Sequence, residues 1–209
     1  MGSNYELNKG DNFVICIDVS GSMQTKDLEG DISRIEGLKE KVVTFAHEAS
    51  KYDPDGIDVI TFGRKTVLHP NVAASNAASI ISSLKADESM TDTAAALRMA
   101  WGRHLAYKDG GGKDQTVCFI ATDGDPTDRG AVIDDLKYIA SQQDSVAGRE
   151  FAVSFLTVGE ISTELADFLK LLDDDLNAKD KNGLPIDIVD VKALSEVDFQ
   201  SAFEGALAD

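Results

Sequence analysis

The sequence predicts an α/β fold in which a mostly parallel sheet is covered by helices on both faces. Short, continuous apolar runs alternate with segments whose apolar residues recur at steps of three and four. The first pattern is typical of buried strands and the second of amphipathic helices, and their alternation is typical of a parallel sheet. A chain of 209 residues is long enough for one such domain with a sizeable core.

The first half of the chain contains three predicted strands. The run NFVICIDV at 12–19 predicts a buried strand, and the apolar periodicity from Ile35 to Tyr52 predicts the helix after it. IDVITF at 57–62 predicts the second strand. Gly63 and Arg64 fit a two-residue hairpin turn, so KTVLH is predicted to be an antiparallel edge strand. Two predicted helices follow, VAASNAASIISSL and DTAAALRMAWGRHLAY.

The second half repeats the alternation of strand and helix three times. The predicted strands are TVCFIAT, FAVSFLTVG and PIDIVDVK. The predicted helices are TDRGAVIDDLKYIASQQ, STELADFLKLLDDDL and a final SEVDFQSAFEGAL. Thr127 or Asp128 is the expected N-cap of the first of these helices. Residues 1–10 are expected to form a flexible N-terminal arm, and residues 11–209 a single domain.

The composition narrows the classes of partner. The formal net charge is −17. A surface this acidic repels nucleic acid and anionic membranes, and it suits divalent cations or basic partners, although solubility explains it equally well. No apolar run approaches the roughly 18 residues of a membrane helix, and the start of the chain has no secretory signal pattern. We therefore expect a cytoplasmic protein whose two cysteines, Cys16 and Cys118, are buried and reduced.

The first predicted strand ends abruptly in polar residues. Asp18, Ser20 and Ser22 lie where this strand leaves the sheet, and ligands of doubly wound sheets bind outside the carboxyl ends of the strands. Two more loops present an oxygen at the same edge, through Thr91 before a helix and Asp123 after a buried strand. Carboxylate and hydroxyl oxygens suit hard cations, above all Mg²⁺. An ion held largely by hydroxyls would keep its affinity for one further anionic oxygen.

These residues resemble the motif of the von Willebrand factor A (VWA) family with its metal-ion-dependent adhesion site (MIDAS). The family pattern is Asp-x-Ser-x-Ser, a Thr in a second loop and an Asp in a third, and DVSGS, TDT and TDG fill it here. The order of the elements matches along nearly the whole chain. The resemblance implies a Rossmann-like, doubly wound, six-stranded sheet of strand order 3-2-1-4-5-6, in which strand 3 is the antiparallel edge.

The resemblance also implies a role for each site residue. Ser20 and Ser22 would contact the metal directly, and in some members of the family the residue at the position of Thr91 does so too. Asp18 and Asp123 would act mainly through metal-bound waters, and a Glu or Asp of a partner protein would take the sixth position. Mn²⁺ or Ca²⁺ could replace Mg²⁺.

Two finer expectations follow from the same resemblance. Thr93 is expected to cap the helix that follows it rather than to bind the metal. The stretches ATDGDPTD and DIVDV are similar to intracellular bacterial members of the family, among them those associated with tellurium resistance.

The leading functional hypothesis is a Mg²⁺-dependent protein-binding module that is not an enzyme and has no small-molecule substrate. The rival of another class is a metal-dependent phosphotransferase or phosphoesterase with Asp18 as nucleophile. An extracellular adhesin and a scaffold with a vestigial metal site are further alternatives. The acidic residues Asp27, Glu29 and Asp31 either cover or extend the site or form a solvated loop.

Two other patterns in the sequence do not match a known phosphate-binding or zinc-binding motif. GGGK at 110–113 lacks the spacing of a phosphate-binding loop. The three histidines, His47, His69 and His104, have no zinc spacing and are expected to lie at or near the surface.

Overall fold

Six strands form a sheet of order β3-β2-β1-β4-β5-β6 in the computed structural model, which describes residues 11–50, 53, 55–147 and 150–197. The strands are β1 (Asn12–Asp18), β2 (Ile57–Phe62), β3 (Thr66–Val72), β4 (Thr116–Thr122), β5 (Phe151–Thr157) and β6 (Val189–Ala193). The helices are α1 (Arg34–Ala49), α2 (Ala74–Ser83), α3 (Thr93–Asp109), α4 (Arg129–Ser141) and α5 (Thr163–Asp174). Two 3₁₀ turns lie at Gly21–Gln24 and Leu194–Glu196.

The predicted fold class is confirmed, including the direction of every strand. Neighbouring strands pair in parallel except β2 and β3, which are antiparallel. The hairpin between them turns at Gly63, whose N–H donates to the carbonyl of Lys65 at 3.1 Å. The predicted N-terminal arm and most of the predicted final helix lie outside the described residues.

Strand β1 has a core on each of its two faces. Phe13, Ile15 and Ile17 pack with α1 and α2, whereas Val14 and Cys16 pack with α3 and the elements beyond it. This alternation follows from the two-residue period of a strand, and burial on both faces explains why the whole run is apolar. The two layers of helices hold β1 and β4 at the centre of the sheet, where the predicted site begins.

Aromatic contacts stabilise the core between the sheet and helices α1 and α2. The ring of Phe45 on α1 meets Phe13 and Phe119 edge-on, with centroid distances of 6.4 and 5.0 Å. All three rings are fully buried. Such edge-to-face pairs add about 0.5–1.5 kcal/mol to the free energy gained by burial. They fix α1 against the strands whose carboxyl ends carry the site.

The cysteines are buried as expected, and one histidine is not at the surface. Cys16 and Cys118 are free thiols on β1 and β4, with their sulfur atoms 3.9 Å apart. The expectation for His104 was wrong, because this residue is 1% exposed and its Nδ1 lies 2.8 Å from the hydroxyl of Thr116. Its ring stacks on Trp101, so a hydrogen bond and an aromatic contact together stabilise a polar side chain in the core on the α3 side of the sheet.

No helix in the described part of the chain is long and apolar enough to cross a membrane.

Candidate metal centre

The candidate site lies at the carboxyl edge of the sheet, between β1 and β4. The chain leaves β1 toward β2 on one side and leaves β4 toward β5 on the other, so the strand order reverses between these two neighbours. Loops diverge at such a switch point and leave a crevice where ligands bind. The loop after β1 carries Asp18, Ser20 and Ser22, and the loop after β4 carries Asp123.

Four of the five predicted residues are connected by hydrogen bonds. The two hydroxyls of Ser20 and Ser22 are 2.9 Å apart. Ser22 Oγ donates to Asp123 Oδ1 at 2.8 Å, and thereby joins the loop after β1 to the loop after β4. Asp18 accepts the backbone N–H of Ser20 at 2.8 Å. The structure therefore brings together residues that are about a hundred positions apart in the sequence.

Asp18 organises the loop from inside the protein. Its side chain is fully buried, and its second oxygen accepts a hydrogen bond from Thr122 Oγ1 at 2.6 Å. Burial raises the pKa of Asp18 to about 6, against the lowering effect of the hydrogen bonds from Thr122 and Ser20. Both carboxylate oxygens are therefore occupied in holding β1, β4 and the Ser20 backbone together.

Thr91 lies beside this network without a direct hydrogen bond to it. Its backbone N–H donates to Thr127 Oγ1 at 3.0 Å, and its carbonyl accepts the N–H of Thr127 at 2.9 Å. A methyl group added at Gly124 would lie 3.5 Å from Thr91 Oγ1 and 3.7 Å from Ser22 Oγ. The two hydroxyls thus flank Gly124, a position where the absence of a side chain leaves room between them.

The cap of α3 corrects the expectation for Thr93. The N-cap is Asp92, whose Oδ1 accepts the N–H of Ala95 at 3.0 Å, and Thr93 is the first helical residue. The hydroxyl of Thr93 is buried and has no hydrogen-bond partner among the described residues. For α4, Thr127 or Asp128 was the expected N-cap, and the structure has Asp128 in that position.

Sequence reasoning missed Arg34, which is part of the site. This residue begins α1, is 8% exposed, and donates from Nη1 to Asp123 Oδ2 at 2.7 Å. Its Nη2 also donates to the carbonyl of Glu160 at 2.8 Å. A cation in the first turn of a helix is disfavoured by the helix dipole, so an arginine there signals a specific anionic partner. That signal was present in the sequence, but the identity of the partner was not.

The acidic loop after Ser22 reaches the site through this arginine. Asp27 accepts hydrogen bonds from Arg34 Nε at 2.9 and 3.0 Å, and from the N–H of Glu160 at 3.1 Å. The hydrogen bonds from Arg34 are the main reason why the pKa of Asp27 falls to about 2. Of the two alternatives, Asp27 extends the site indirectly, whereas Glu29 and Asp31 are exposed.

Asp125 is held at the rim of the site by a separate ion pair. Its Oδ1 lies 2.6 Å from Arg129 Nη2, and its side chain is 43% exposed. Arg129 in turn donates to the carbonyl of Glu164 and lies over the ring of Phe168. This carboxylate is therefore neutralised by α4 and does not join the hydrogen-bonded network of Asp123.

The donor set fits a small, hard divalent cation. In the described residues no group of three or more His, Cys, Asp and Glu could hold a metal. The predicted residues would instead offer hydroxyl oxygens beside two carboxylates. Adjacent ligands of an octahedral Mg²⁺ with bonds of 2.0–2.1 Å are about 3 Å apart. The oxygen separation of 2.9 Å between Ser20 and Ser22 matches that spacing. Asp123 lies 2.8 Å from Ser22 Oγ, close enough to add its negative charge to the site.

Several solved structures share the fold. The VWA domain of SpRpn10 superposes with a TM-score of 0.61 at 14% identity, covering 88% of this chain and 87% of that one. An aerotolerance-related membrane protein from Bacteroides fragilis, solved with multiple mutations to serines, has a TM-score of 0.58 at 18% identity and covers 95% and 96%. The manganese-loaded TRAP protein of Plasmodium vivax has a TM-score of 0.58 at 15% identity and covers 91% and 71%.

The sequence itself carries a family match. No curated protein matches the chain. The family model of the von Willebrand factor type A domain matches residues 13–125, more than half of the chain, which is the part that includes all five predicted site residues. The chain therefore belongs to the von Willebrand factor type A domain family.

Proposed function

We propose that this protein is a Mg²⁺-dependent protein-binding module that captures a carboxylate side chain of a partner protein. One observation carries the proposal. The exposed hydroxyl of Ser22 lies within hydrogen-bonding distance of both the hydroxyl of Ser20 and the carboxylate of Asp123 at the edge of the sheet. Polar side chains that converge at a solvent-accessible switch point form the kind of site where α/β proteins bind ligands.

The residues divide into donors and positioning groups. Ser20, Ser22 and Thr91 would offer their hydroxyl oxygens to the cation. Asp18 holds the loop in place from the interior, because one of its oxygens accepts the Ser20 N–H and the other accepts Thr122. Asp123 faces the same hydroxyls and would contribute charge. A bound Mg²⁺, or Mn²⁺ or Ca²⁺ in its place, would supply a Lewis-acidic position for one oxygen of a partner's Asp or Glu.

Arg34 supports this proposal through its charge. Its guanidinium compensates part of the negative charge of Asp123 at 2.7 Å. A site with less net negative charge would bind the cation more weakly and leave it more attractive to an outside carboxylate. The geometry therefore favours capture of an acidic partner over tight storage of a metal.

The comparisons support the same function at a coarser level. Domains of the VWA family commonly mediate protein–protein interactions. One structural neighbour is a manganese-loaded protein, which supports the possibility that this fold holds a divalent ion here. An intracellular location in a bacterium, and a relation to the branch associated with tellurium resistance, remain part of the proposal on the basis of sequence resemblance.

The geometry does not favour the enzymatic alternative. Asp18 is 0% exposed and both of its oxygens already accept hydrogen bonds, so it is not positioned to attack a phosphate ester. The hydrogen bonds described around the site involve no histidine or cysteine that could act as a base or nucleophile.

Calorimetric titration with MgCl₂ and MnCl₂ tests the proposal. The native protein should bind one ion, and Ser22→Ala should weaken this binding by at least about tenfold, since the variant loses a donor oxygen. Ser50→Ala is the matched control, because Ser50 is also exposed but lies at the far end of α1, where its hydroxyl donates to the carbonyl of His47. A native protein that binds neither ion would contradict the proposal and favour a scaffold with a vestigial site.

A pull-down with Mg²⁺, repeated with a chelator, tests the second half of the proposal. Partner capture should require the metal and should be lost in Ser22→Ala but retained in Ser50→Ala. Stabilisation by metal alone should be modest, about 1.4 kcal/mol at a concentration tenfold above Kd.

A further inference from the structure

A groove lined by lysines runs beside the candidate metal centre, between α1 and the end of α2. Its volume of about 790 Å³ lies in the range of ligand-binding clefts. Three lysines line it, Lys26, Lys39 and Lys85, together with the carboxylates of Glu36 and Asp87. We refer to this feature as the lysine groove.

The lysine groove departs from the acidic character of the chain. The protein has a net charge of −17, yet lysines outnumber carboxylates here. The cavity on the other side of α1, near Glu160, is lined by four carboxylates and one lysine. A cavity between α5 and β6 is lined by three carboxylates and two lysines. An acidic polypeptide would therefore be repelled from those two cavities and attracted to this one.

Two of the three lysines are available to a partner. Lys39 is 13% exposed and already satisfied, because its Nζ donates to Glu36 at 2.8 Å and to the carbonyl of Ser82 at 3.4 Å. Lys26 makes a long contact of 3.7 Å with Asp31, in which both side chains are largely exposed. Lys85 is exposed and forms no ion pair with a described residue. Exposed lysines without a close partner can exchange solvent for an incoming carboxylate at little cost.

The lysine groove and the metal centre share the same loops. Gln24 lines the groove and belongs to the 3₁₀ turn that contains Ser22, and its side-chain amide donates to the carbonyl of Ala86 in the opposite wall. Gly21, in the same turn, donates its N–H to the carbonyl of Glu88 at 2.9 Å, one residue beyond Asp87 of the groove. A polypeptide with one side chain at the metal centre would therefore extend into the groove within a few residues.

We propose that the lysine groove binds an acidic stretch of the same partner polypeptide that supplies a carboxylate to the metal centre. This inference rests on the proposed function for the identity of the partner. Lys26 and Lys85 would contact two or more carboxylates next to the captured side chain. The metal centre would then recognise one acidic residue, and the lysine groove would select partners in which that residue lies within an acidic segment.

Fluorescence anisotropy with a labelled hexaglutamate peptide tests this inference. The double variant Lys26→Glu/Lys85→Glu should weaken binding by about tenfold at low salt, and the loss should shrink at about 0.15 M salt, where exposed charges are screened. The matched control is Lys113→Glu/Lys137→Glu, which makes the same change of net charge at two exposed lysines elsewhere. Its affinity should stay within about twofold of the native protein. Circular dichroism confirms that both variants are folded.

Two further measurements separate this inference from the proposed function. The lysine-dependent part of the affinity should persist in EDTA and in Ser22→Ala, whereas any Mg²⁺-dependent gain should disappear in both. If Mg²⁺ gives no gain but the lysine variants still differ as expected, the proposed function fails and the groove retains its role in binding acidic peptides.

Two outcomes would overturn the inference. One is an equal affinity of hexaglutamate for the native protein and Lys26→Glu/Lys85→Glu, whether or not Mg²⁺ is present. The other is a dimer of the protein itself in analytical ultracentrifugation that Lys26→Glu/Lys85→Glu abolishes, because the groove would then bind a second copy of this acidic chain.

Discussion

The two edges of the sheet both bury polar side chains, but they use them differently. At the amino edge, Gln143 and Asp53 bind backbone groups that the strands leave open, and Thr116 bonds the side chains of Asn12 and His104. At the carboxyl edge, side chains from β1, β4 and α1 bind one another, and one of them, Ser22, is exposed. Burial of polar groups is thus common to both edges, whereas the carboxyl edge links two hydroxyls to a carboxylate and leaves one of those hydroxyls, that of Ser22, exposed.

The amino edge shows how complete such backbone pairing is. Gln143 is 1% exposed, its Oε1 accepts the N–H groups of Glu150 and Phe151, and its amide donates to the carbonyl of Phe151, all at 3.0 Å. Asp53 accepts the N–H of Phe13 at 3.2 Å. Both side chains are buried and bind backbone groups at the ends of strands, so their role is to terminate strands.

The largest effect on stability is expected at the amino edge. Gln143→Ala would leave three backbone groups unpaired, two of them buried and one partly buried, and should lower the free energy of unfolding by about 3 kcal/mol. The Mg²⁺ affinity of the folded variant should be unchanged. Urea denaturation and calorimetry measure the two quantities, and a loss of metal affinity would show that the edges are coupled.

Two matched ion pairs provide the next comparison. Arg34→Met removes the partner of Asp123 at the carboxyl edge, and Arg103→Met removes the partner of Asp58, which lies 2.6 Å from Arg103 Nε and is 3% exposed. Each variant should lose about 2 kcal/mol of stability, because a buried carboxylate loses its counter-charge. Arg34→Met should also raise Mg²⁺ affinity by about threefold or more, since Asp123 is no longer neutralised. Equal metal affinity in both variants would remove Arg34 from the site.

Gly124 tests the space inside the site, and Gly102 on α3 is its control. Gly124→Ala would place a methyl group 3.5 Å from Thr91 Oγ1 and 3.7 Å from Ser22 Oγ, distances that the fold tolerates. We expect an unchanged melting temperature but a loss of Mg²⁺ affinity of about tenfold, roughly 1.4 kcal/mol. The control Gly102→Ala meets no atom within 4 Å inside α3 and should gain about 0.5–1 kcal/mol of stability with normal metal binding. Normal metal affinity in Gly124→Ala would place the ion away from these hydroxyls.

The smallest effect concerns pH and His104. Burial lowers the pKa of His104 to about 4, below the value near 6.5 in the unfolded chain. The unfolded state therefore binds the proton first, and the stability contributed above pH 6.5 is lost as the pH falls toward 4. Between pH 7 and 6 the loss should be less than about 1 kcal/mol.

His104→Gln isolates this contribution. Burial raises the pKa values of Asp18 and Asp53 to about 6, so these groups act in the opposite direction, but they are the same in both proteins. The native protein should lose more stability than His104→Gln as the pH falls from 7 to 5. Parallel curves for the two proteins would show that His104 titrates normally.

The sequence alone was sufficient to predict the layers of the fold and the edge that carries the site. Continuous apolar runs such as NFVICIDV must be covered on both faces, and their alternation with amphipathic helices predicts a parallel sheet with helices on either side. Residues that follow such runs lie at the carboxyl edge whatever the details of packing, so Asp18 and Asp123 were predictable as neighbours. The ligand roles of these residues remain a prediction.

The tertiary structure decided which side chains meet at that edge. Arg34 reaches Asp123, which is 89 positions away, and Thr91 and Ser22 flank Gly124, through distances that depend on how α1 and α3 settle on the sheet. His104 is buried because Thr116 happens to offer its hydroxyl and Trp101 its ring. Local periodicity determines the face on which a residue lies, whereas partners so far apart in sequence are selected by the packing of whole elements, because a shift of one helix by a single turn, about 5.4 Å, would exchange them.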